Sequence, residues 1–238
     1  MEEMRRALAK AGISLSDESL RQMEKYRDML LTWNARMDLT NVPAGDTVQR
    51  HFLDSLLPLG VEGLFPAGCR VIDVGSGAGF PGMPLIIVRP DMHMTLLEAQ
   101  GKRCDFLRAV KEELGLERLE IVQNRAEIAG QNAAYRERFD RATARAVAPL
   151  NLLCEYLLPF VKVGGAAVCW KGPAVLEEEE DGQAAAAALG GAIERIIDVG
   201  PEDTKHTLVM IGKTEKTSPQ YPRKNGIPAK RPLKKGRI

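Results

Sequence analysis

Residues 71–82 read VIDVGSGAGFPG, and no other stretch of the 238-residue chain restricts its fold as much. Val71, Ile72 and Val74 form a short apolar run of the kind that makes a buried parallel strand, and Gly75, Gly77 and Gly79 follow at once. Glycine has no Cβ and accepts φ above zero, so the strand must end in a turn whose backbone comes very close to something. Asp73 stands two residues before the first glycine and makes the pattern more specific.

An acid-x-Gly-x-Gly-x-Gly loop resembles the S-adenosylmethionine loop of class I methyltransferases. The dinucleotide alternative has a formal match, because Gly77 to Gly82 satisfies G-x-G-x-x-G. That motif cradles a pyrophosphate and wants its first glycine directly after the strand, where Gly75 already stands. S-adenosylmethionine carries no phosphate and asks for closeness rather than an anion cradle. A purely structural tight turn is the third reading.

The chain suits one large domain, or one domain with a small appendage. No apolar run reaches the length of a membrane span, and MEEMRRALAK lacks an apolar signal core, which points to a cytoplasmic protein. Cys69, Cys104, Cys154 and Cys169 are far apart, so neither a zinc site nor a disulfide framework is expected; His51, His93 and His206 do not pair at metal-ligand spacing either. The net charge of +1 conceals a polarised chain. Of the 33 Lys and Arg, seven lie between Tyr221 and Ile238 with no acid among them, leaving 26 basic against 32 acidic residues elsewhere. Such a basic terminal segment reads either as an arm for nucleic acid or as a disordered solubilising tail. Pro222, Pro228, Pro232 and Gly226 argue against a helix in this tail.

Ser16 reads as a helix cap followed by acids, with Leu20, Met23, Leu30 and Trp33 at helical spacing after it. A second helix is expected over 46–57. Strands are expected at 70–74, 92–98, 119–122, 141–147, 166–170, 194–199 and 207–211. Helices are expected near 84–88, 102–114, 126–137, 150–161 and 174–189. This alternation predicts a doubly wound α/β sheet. The last two strands have no room for a helical crossover and should be antiparallel. The organisation expected is a helical cap over 1–66, a methyltransferase core over 67–214 and a basic tail over 215–238. The acidic run Glu177–Asp181 reads as a solvated helix face.

Ligands of open α/β sheets sit beyond the carboxyl ends of the strands. The second strand ends in Glu98, 23 residues after Gly75, where a carboxylate could accept from both ribose hydroxyls. Ala126 could line an adenine slot, and Glu127 could cap or bond nearby. Arg145, at the mouth of the fourth strand, could hold the cofactor carboxylate or an RNA phosphate. Lys171, ending the fifth strand, could meet phosphate. Cys154 and Cys169 read as small buried apolar groups.

The chain is similar to the bacterial small-subunit ribosomal RNA guanine-N7 methyltransferases, the RsmG or GidB family. The resemblance rests on Trp33–Asn34, Asp38–Asn41, Arg50–Ser55, Asp73–Gly82, Pro84–Leu85, Gly101–Arg103, Phe106–Leu107, Arg125–Glu127, Arg145–Ala146, Lys171–Gly172, Tyr221–Lys224 and Pro228–Pro232. At position 38 the family usually has Asn. The resemblance implies a class I fold with an antiparallel last strand, and S-adenosylmethionine-dependent methylation of N7 of one guanine in 16S rRNA. The substrate would be folded RNA within the 30S subunit or a precursor, and the enzyme would act as a monomer. Implied cofactor contacts are Gly75, Ser76, Gly77, Gly79, Phe80, Glu98, Ala99, Gln100, Ala126, Glu127 and Arg145. RNA-facing candidates are Lys102, Arg103, Arg125, Lys171 and Lys205, with Arg223, Lys224, Lys230, Arg231, Lys234 and Lys235 of the tail. No catalytic base is assigned, and N7 needs none. The rival readings are a small-molecule or protein methyltransferase, an RNA-binding module without turnover, and a nicotinamide-dependent oxidoreductase.

Overall fold

The computed structural model describes residues 2–10, 12–145, 148–200 and 206–236. Seven strands form one sheet: β1 (Arg70–Val74), β2 (His93–Glu98), β3 (Leu119–Gln123), β4 (Phe139–Arg145), β5 (Val161–Lys171), β6 (Gly191–Val199) and β7 (His206–Lys213). Their order is β3-β2-β1-β4-β5-β7-β6. β1 to β5 are parallel, while β7 runs antiparallel to both β5 and β6. The helices are α1 (Glu2–Lys10), α2 (Asp17–Asn34), α3 (Asp54–Leu56), α4 (Gly82–Val88), α5 (Gly101–Leu114), α6 (Ala126–Ala129), α7 (Leu150–Leu157), α8 (Glu179–Ala188) and α9 (Ile227–Lys230).

Alternation along the strands divides the core. Val71, Met94 and Leu96 face the side covered by the N-terminal helices, α4 and α5. Ile72, Val74 and Leu97 face the side covered by α7 and α8. Ser16 caps α2 by accepting from the Ser19 amide at 3.0 Å. The buried face of α2 carries Met23, Tyr26 and Leu30. The Tyr26 ring lies 5.3 Å from both Phe52 and Phe80, and its hydroxyl donates to the Ala78 carbonyl. The cap is therefore built onto the glycine loop. Gly79 (φ +101°) allows this approach, since a Cβ there would lie 2.8 Å from the Tyr26 hydroxyl.

Several expected elements differ. The α1 helix was not foreseen; Met4 and Leu8, four apart, are its buried positions. The second helix spans 44–60 as an irregular run, a π turn (Val48–Leu53) and α3 between two 3-10 turns, with Phe52, Leu53 and Leu56 buried. The helix expected over 126–137 stops at Ala129, because Gly130 sits under Pro222 of the tail, 2.9 Å from where a Cβ would be. β5 begins five residues earlier than expected, at Val161. Of the expected fourth strand, Ala146 and Val147 lie outside the described residues.

The tail holds the largest correction. It contains one helical turn, α9, with Pro228 in the first turn, where the missing N–H costs nothing. Tyr221 and Leu233 are buried in the core beside α7 and α8. Arg223 reaches the buried Glu155 carboxylate at 2.9 Å. The acidic run is not merely solvated, because Glu180 pairs with Lys235 and Asp181 accepts from the Lys235 amide at 3.1 Å. No helix is long and apolar enough to cross a membrane among the described residues.

Candidate active site

The glycine loop is fixed by its neighbours before any ligand is considered. The amides of Gly75 and Ser76 donate to the Leu97 carbonyl at 2.8 and 3.2 Å, stitching the loop to the end of β2. Asp73 is fully buried; it accepts from the Gly82 amide at 3.1 Å and from Thr143 Oγ1 at 2.9 Å. Burial pushes its carboxyl up to about 6, against the opposing pull of those hydrogen bonds. The Ser76 hydroxyl turns inward to the Asp73 carbonyl at 2.9 Å. Asp73 thus shapes the loop from beneath.

Glu98 is the group that faces outward. Its two oxygens accept from the amides of Gly77 at 2.9 Å and Gln100 at 2.8 Å, and it lines a cavity on each side of the loop. The first cavity, about 510 Å³, reaches Thr40, His51, Phe80, Arg103 and Arg145. The second, about 340 Å³, reaches Ala99, Ala126, Glu127 and Tyr156, with Ala229 of the tail as part of its wall. Gly77 has φ +58°, and a Cβ there would meet nothing closer than 3.8 Å, so its open side belongs to the cavity.

A third cavity, about 410 Å³, lies beyond the ends of β4 and β5 and shares His51 and Arg145 with the first. Arg145 donates to Asp54 Oδ2 at 2.7 Å, to the Arg50 carbonyl at 3.0 Å and to His51 Nδ1 at 2.8 Å. Its guanidinium also lies 5.1 Å from the Phe80 ring centroid, and the His51 ring stacks on the same ring at 4.4 Å. Burial first, and Arg145 second, push His51 down to about 4, so the imidazole is neutral. Because Arg145 can only donate, His51 Nδ1 is the acceptor and Nε2 carries the proton, given to Thr40 Oγ1 at 2.7 Å. Burial alone would raise the Asp54 carboxyl, but His206 and Arg145 outweigh it and hold it below the ordinary value.

The expected site residues separate into groups. Gly75, Ser76, Gly77 and Phe80 of the loop, with Glu98, Ala99, Ala126 and Glu127, surround the two cavities; Gly79 lines neither and packs inward against Tyr26, Met83 and Leu107. Gln100 contributes its amide to Glu98, and Glu127 accepts from the Gly226 amide at 3.1 Å, which brings the tail over the second cavity. Arg103, expected to face RNA, stands in the wall of the first cavity. Lys171 is not free, because it pairs with Glu178 at 2.7 Å and donates to the Ala148 carbonyl at 3.2 Å. Arg223, Lys234 and Lys235 have carboxylate partners in Glu155, Asp181 and Glu180. Lys102, Arg125, Lys224, Lys230 and Arg231 are exposed. Lys205 lies outside the described residues. All four cysteines are buried, and burial pushes the Cys169 thiol up to about 12.

Asp54, His51 and His206 had no role in the reading of the sequence. The first two lie in the motif Arg50–Ser55, which signalled that the segment matters without saying how. Asn34 explains another motif: its side chain accepts from the amides of Leu39 and Thr40, both at 2.9 Å, and so fixes the hydroxyl that holds His51.

A glycine loop after β1, an acid at the end of β2 and a sheet closed by an antiparallel strand define a class I S-adenosylmethionine-dependent methyltransferase. The geometry fits that cofactor: the Glu98 carboxylate lies between two cavities that share Gly75 and Glu98 as lining, and the glycine backbone faces the first of them beside Arg103 and Arg145. Solved structures share the fold. A methyltransferase from Aquifex aeolicus superposes with TM-score 0.52 at 19% identity, covering 70% of this chain and 92% of that one. A variant of MtNAS in complex with S-adenosylmethionine superposes with TM-score 0.55 at 16% identity, covering 89% and 77%. The chain belongs to the GidB family, described as rRNA small subunit methyltransferase G, which matches residues 19–207. Among its relatives is the ribosomal RNA small subunit methyltransferase G of Alkaliphilus metalliredigens, 45% identical over 94% of both chains. The corresponding protein of Leuconostoc mesenteroides is 42% identical over 98% of both. This chain is an S-adenosylmethionine-dependent rRNA methyltransferase.

Proposed function

We propose that the enzyme methylates N7 of one guanine in 16S rRNA, presented within the 30S subunit or a precursor. One observation carries this reading: a cavity of about 410 Å³ at the ends of β4 and β5, with room for a base, adjoins the cofactor cavity through the shared His51 and Arg145. S-adenosylmethionine supplies a methyl group on a cationic sulfonium. Guanine N7 has an in-plane lone pair and forms the new N–C bond as the C–S pair returns to sulfur, so no proton moves. His51 suits such a reaction, being neutral and hydrogen-bonded at both nitrogens rather than free as a base. The protein's part is alignment.

In this reading Glu98 bonds the ribose, while Ala99, Gln100, Ala126 and Glu127 border the adenine. Gly75, Ser76, Gly77, Gly79 and Phe80 shape the loop against the methionine part, and Arg145 meets its carboxylate. The division at 1–66, 67–214 and 215–238 belongs to the same reading. The tail then has two parts: Arg223 fastens it, and Lys224, Lys230 and Arg231 face RNA with Lys102 and Arg125. The enzyme acts as a cytoplasmic monomer.

The test uses radiolabelled S-adenosylmethionine with unmodified 30S subunits, free 16S rRNA and a small-molecule control, followed by nucleoside analysis. Label in 7-methylguanosine from one site supports the reading. Cofactor binding without label in RNA overturns it.

A further inference from the structure

We infer that Arg103 is the main hold on the α-carboxylate of S-adenosylmethionine, with Arg145 only flanking it. The inference rests on placing the methionine part of the cofactor in the first cavity, and not on which atom of the RNA is methylated.

S-adenosylmethionine has one anionic group, the carboxylate that ends its methionine part. The first cavity offers one acidic side chain, Glu98, and two cationic ones, Arg103 and Arg145, beside the neutral His51. Glu98 repels a carboxylate and already accepts from two amides. The cofactor carboxylate therefore belongs with an arginine, and the two arginines differ in what they have left to give. Arg145 has three of its five N–H donors in use, on Asp54 Oδ2, the Arg50 carbonyl and His51 Nδ1. It is also bound in place, because any shift toward a ligand would strand the buried Asp54 carboxylate.

Arg103 is uncommitted. It makes no ion pair and no hydrogen bond among the described residues, and its Nε is buried without a partner. Its Nη1 stands 3.8 Å from where a Gly77 Cβ would be, on the side of Gly77 that opens to the cavity. The outer end of the guanidinium is thus at the cavity, and its paired Nη groups form the fork that matches a carboxylate. The helix gives no reason for a cation here. Arg103 is the third residue of α5, where the positive end of the helix dipole opposes a positive side chain, and no acid stands in that first turn to offset it. Arg108, one turn further on, has its partner in Asp105. A half-buried cation set against the helix dipole, with no protein partner, marks a site for an anion.

An RNA phosphate is the other anion that an arginine holds in such an enzyme. The position of Arg103 favours the cofactor, since it stands against the glycine backbone in a cavity wall, whereas Lys102 beside it is exposed. The consequence for the reaction is alignment. A fork fixes direction as well as place. With the ribose bonded by Glu98 and the carboxylate by Arg103, the chain through sulfur is fixed at both ends, and the direction of its methyl group is set.

The test compares two ligands that differ by the carboxylate alone, S-adenosylmethionine and its decarboxylated form, by isothermal titration. The wild-type enzyme should bind S-adenosylmethionine more tightly by about 10- to 150-fold, the range for hydrogen bonds to a charged group. Arg103→Ala should lose most of this preference, Arg145 accounting for the remainder. The ratio is internal to each protein, so a general loosening of the site does not move it. Arg103→Lys keeps the charge without the fork and should lie between the two. Should Arg103→Ala fold poorly, Arg103→Met keeps the length of the side chain and gives the same reading. The salt dependence of rRNA binding should be the same in wild type and Arg103→Ala. A variant that keeps the full preference overturns the inference, as does a wild type indifferent to the carboxylate. A kept preference with a salt slope smaller by about 1 overturns it in favour of an RNA phosphate. If the wild type binds neither ligand, the assignment of the loop as the cofactor site fails, and the inference with it.

Discussion

Glu98 Oε2 accepts from the Gly77 amide at 2.9 Å, so the acid at the end of β2 and the glycine loop after β1 form one rigid ledge. Gly77 opens on the cavity, whereas Gly82 is walled in, 2.4 Å from Leu96 Cδ2 for a Cβ placed there. Gly77→Asp should therefore abolish cofactor binding by calorimetry, while its +58° φ costs only about 1–2 kcal/mol of stability, too little to unfold the chain. Gly82→Ala should act in the opposite sense, costing about 1–3 kcal/mol by overpacking, read by denaturant unfolding. Unaltered cofactor affinity in the Gly77 variant would sink the assignment of the loop.

Glu98→Ala removes the acceptor of two loop amides as well as the ribose contact. Cofactor affinity should fall by about 1–3 kcal/mol, or 5- to 150-fold. Glu98→Gln keeps one acceptor oxygen and should lie between wild type and Ala. Isothermal titration with S-adenosylhomocysteine measures both.

The sequence alone suggests that removing Tyr221–Ile238 would weaken RNA binding and spare the cofactor. The structure reverses the second half. Ala229 lines the second cavity, Gly226 bonds Glu127, and Arg223 covers Glu155, whose side chain is 1% exposed. Truncation should lower cofactor affinity at least tenfold. Arg223→Ala, which strands a buried carboxylate, should cost about 3–5 kcal/mol of stability.

Asp73 titrates near 6 in the folded chain and near 3.8 unfolded. Its folded value is raised, so its contribution is fully present below about 4 and is lost as pH rises to about 6. Unfolding free energies of wild type and Asp73→Asn should therefore differ with a slope confined to that window. A flat difference across it would show that the group is not raised.

Lys224→Ala with Lys230→Ala should reduce the slope of log K against log salt for rRNA binding by about 2, one for each phosphate contact. Arg223→Ala should leave the slope unchanged, since Arg223 is held by Glu155.

The sheet was legible because its signals are local. Apolar strands such as Arg70–Val74 end in glycine or acid, and the gap before His206 left no room for a crossover. The loop and Glu98 were legible for the same reason, since their spacing is fixed by one β-α-β unit. What stayed hidden depends on contacts distant in sequence. Asp54 gains its meaning from Arg145 and His206, each at least 90 residues away. The tail's charge suggested an arm, but charge does not reveal partners, and Glu155 and Glu180 lie where only folding brings them. Residues 46–57 read as a plain helix, where the structure has an irregular run over 44–60, because Phe52, Leu53 and Leu56 keep an apolar face even where the turns widen.

One wall of the second cavity is made after everything else around it. The glycine loop, Glu98, Ala126 and Arg145 are all synthesised before Arg223, Gly226 and Ala229, which close that side and fasten it to Glu155 and Glu127. Until those residues are made, that side of the cavity has no wall. The last part of the chain to be synthesised is thus the part that completes the cavity.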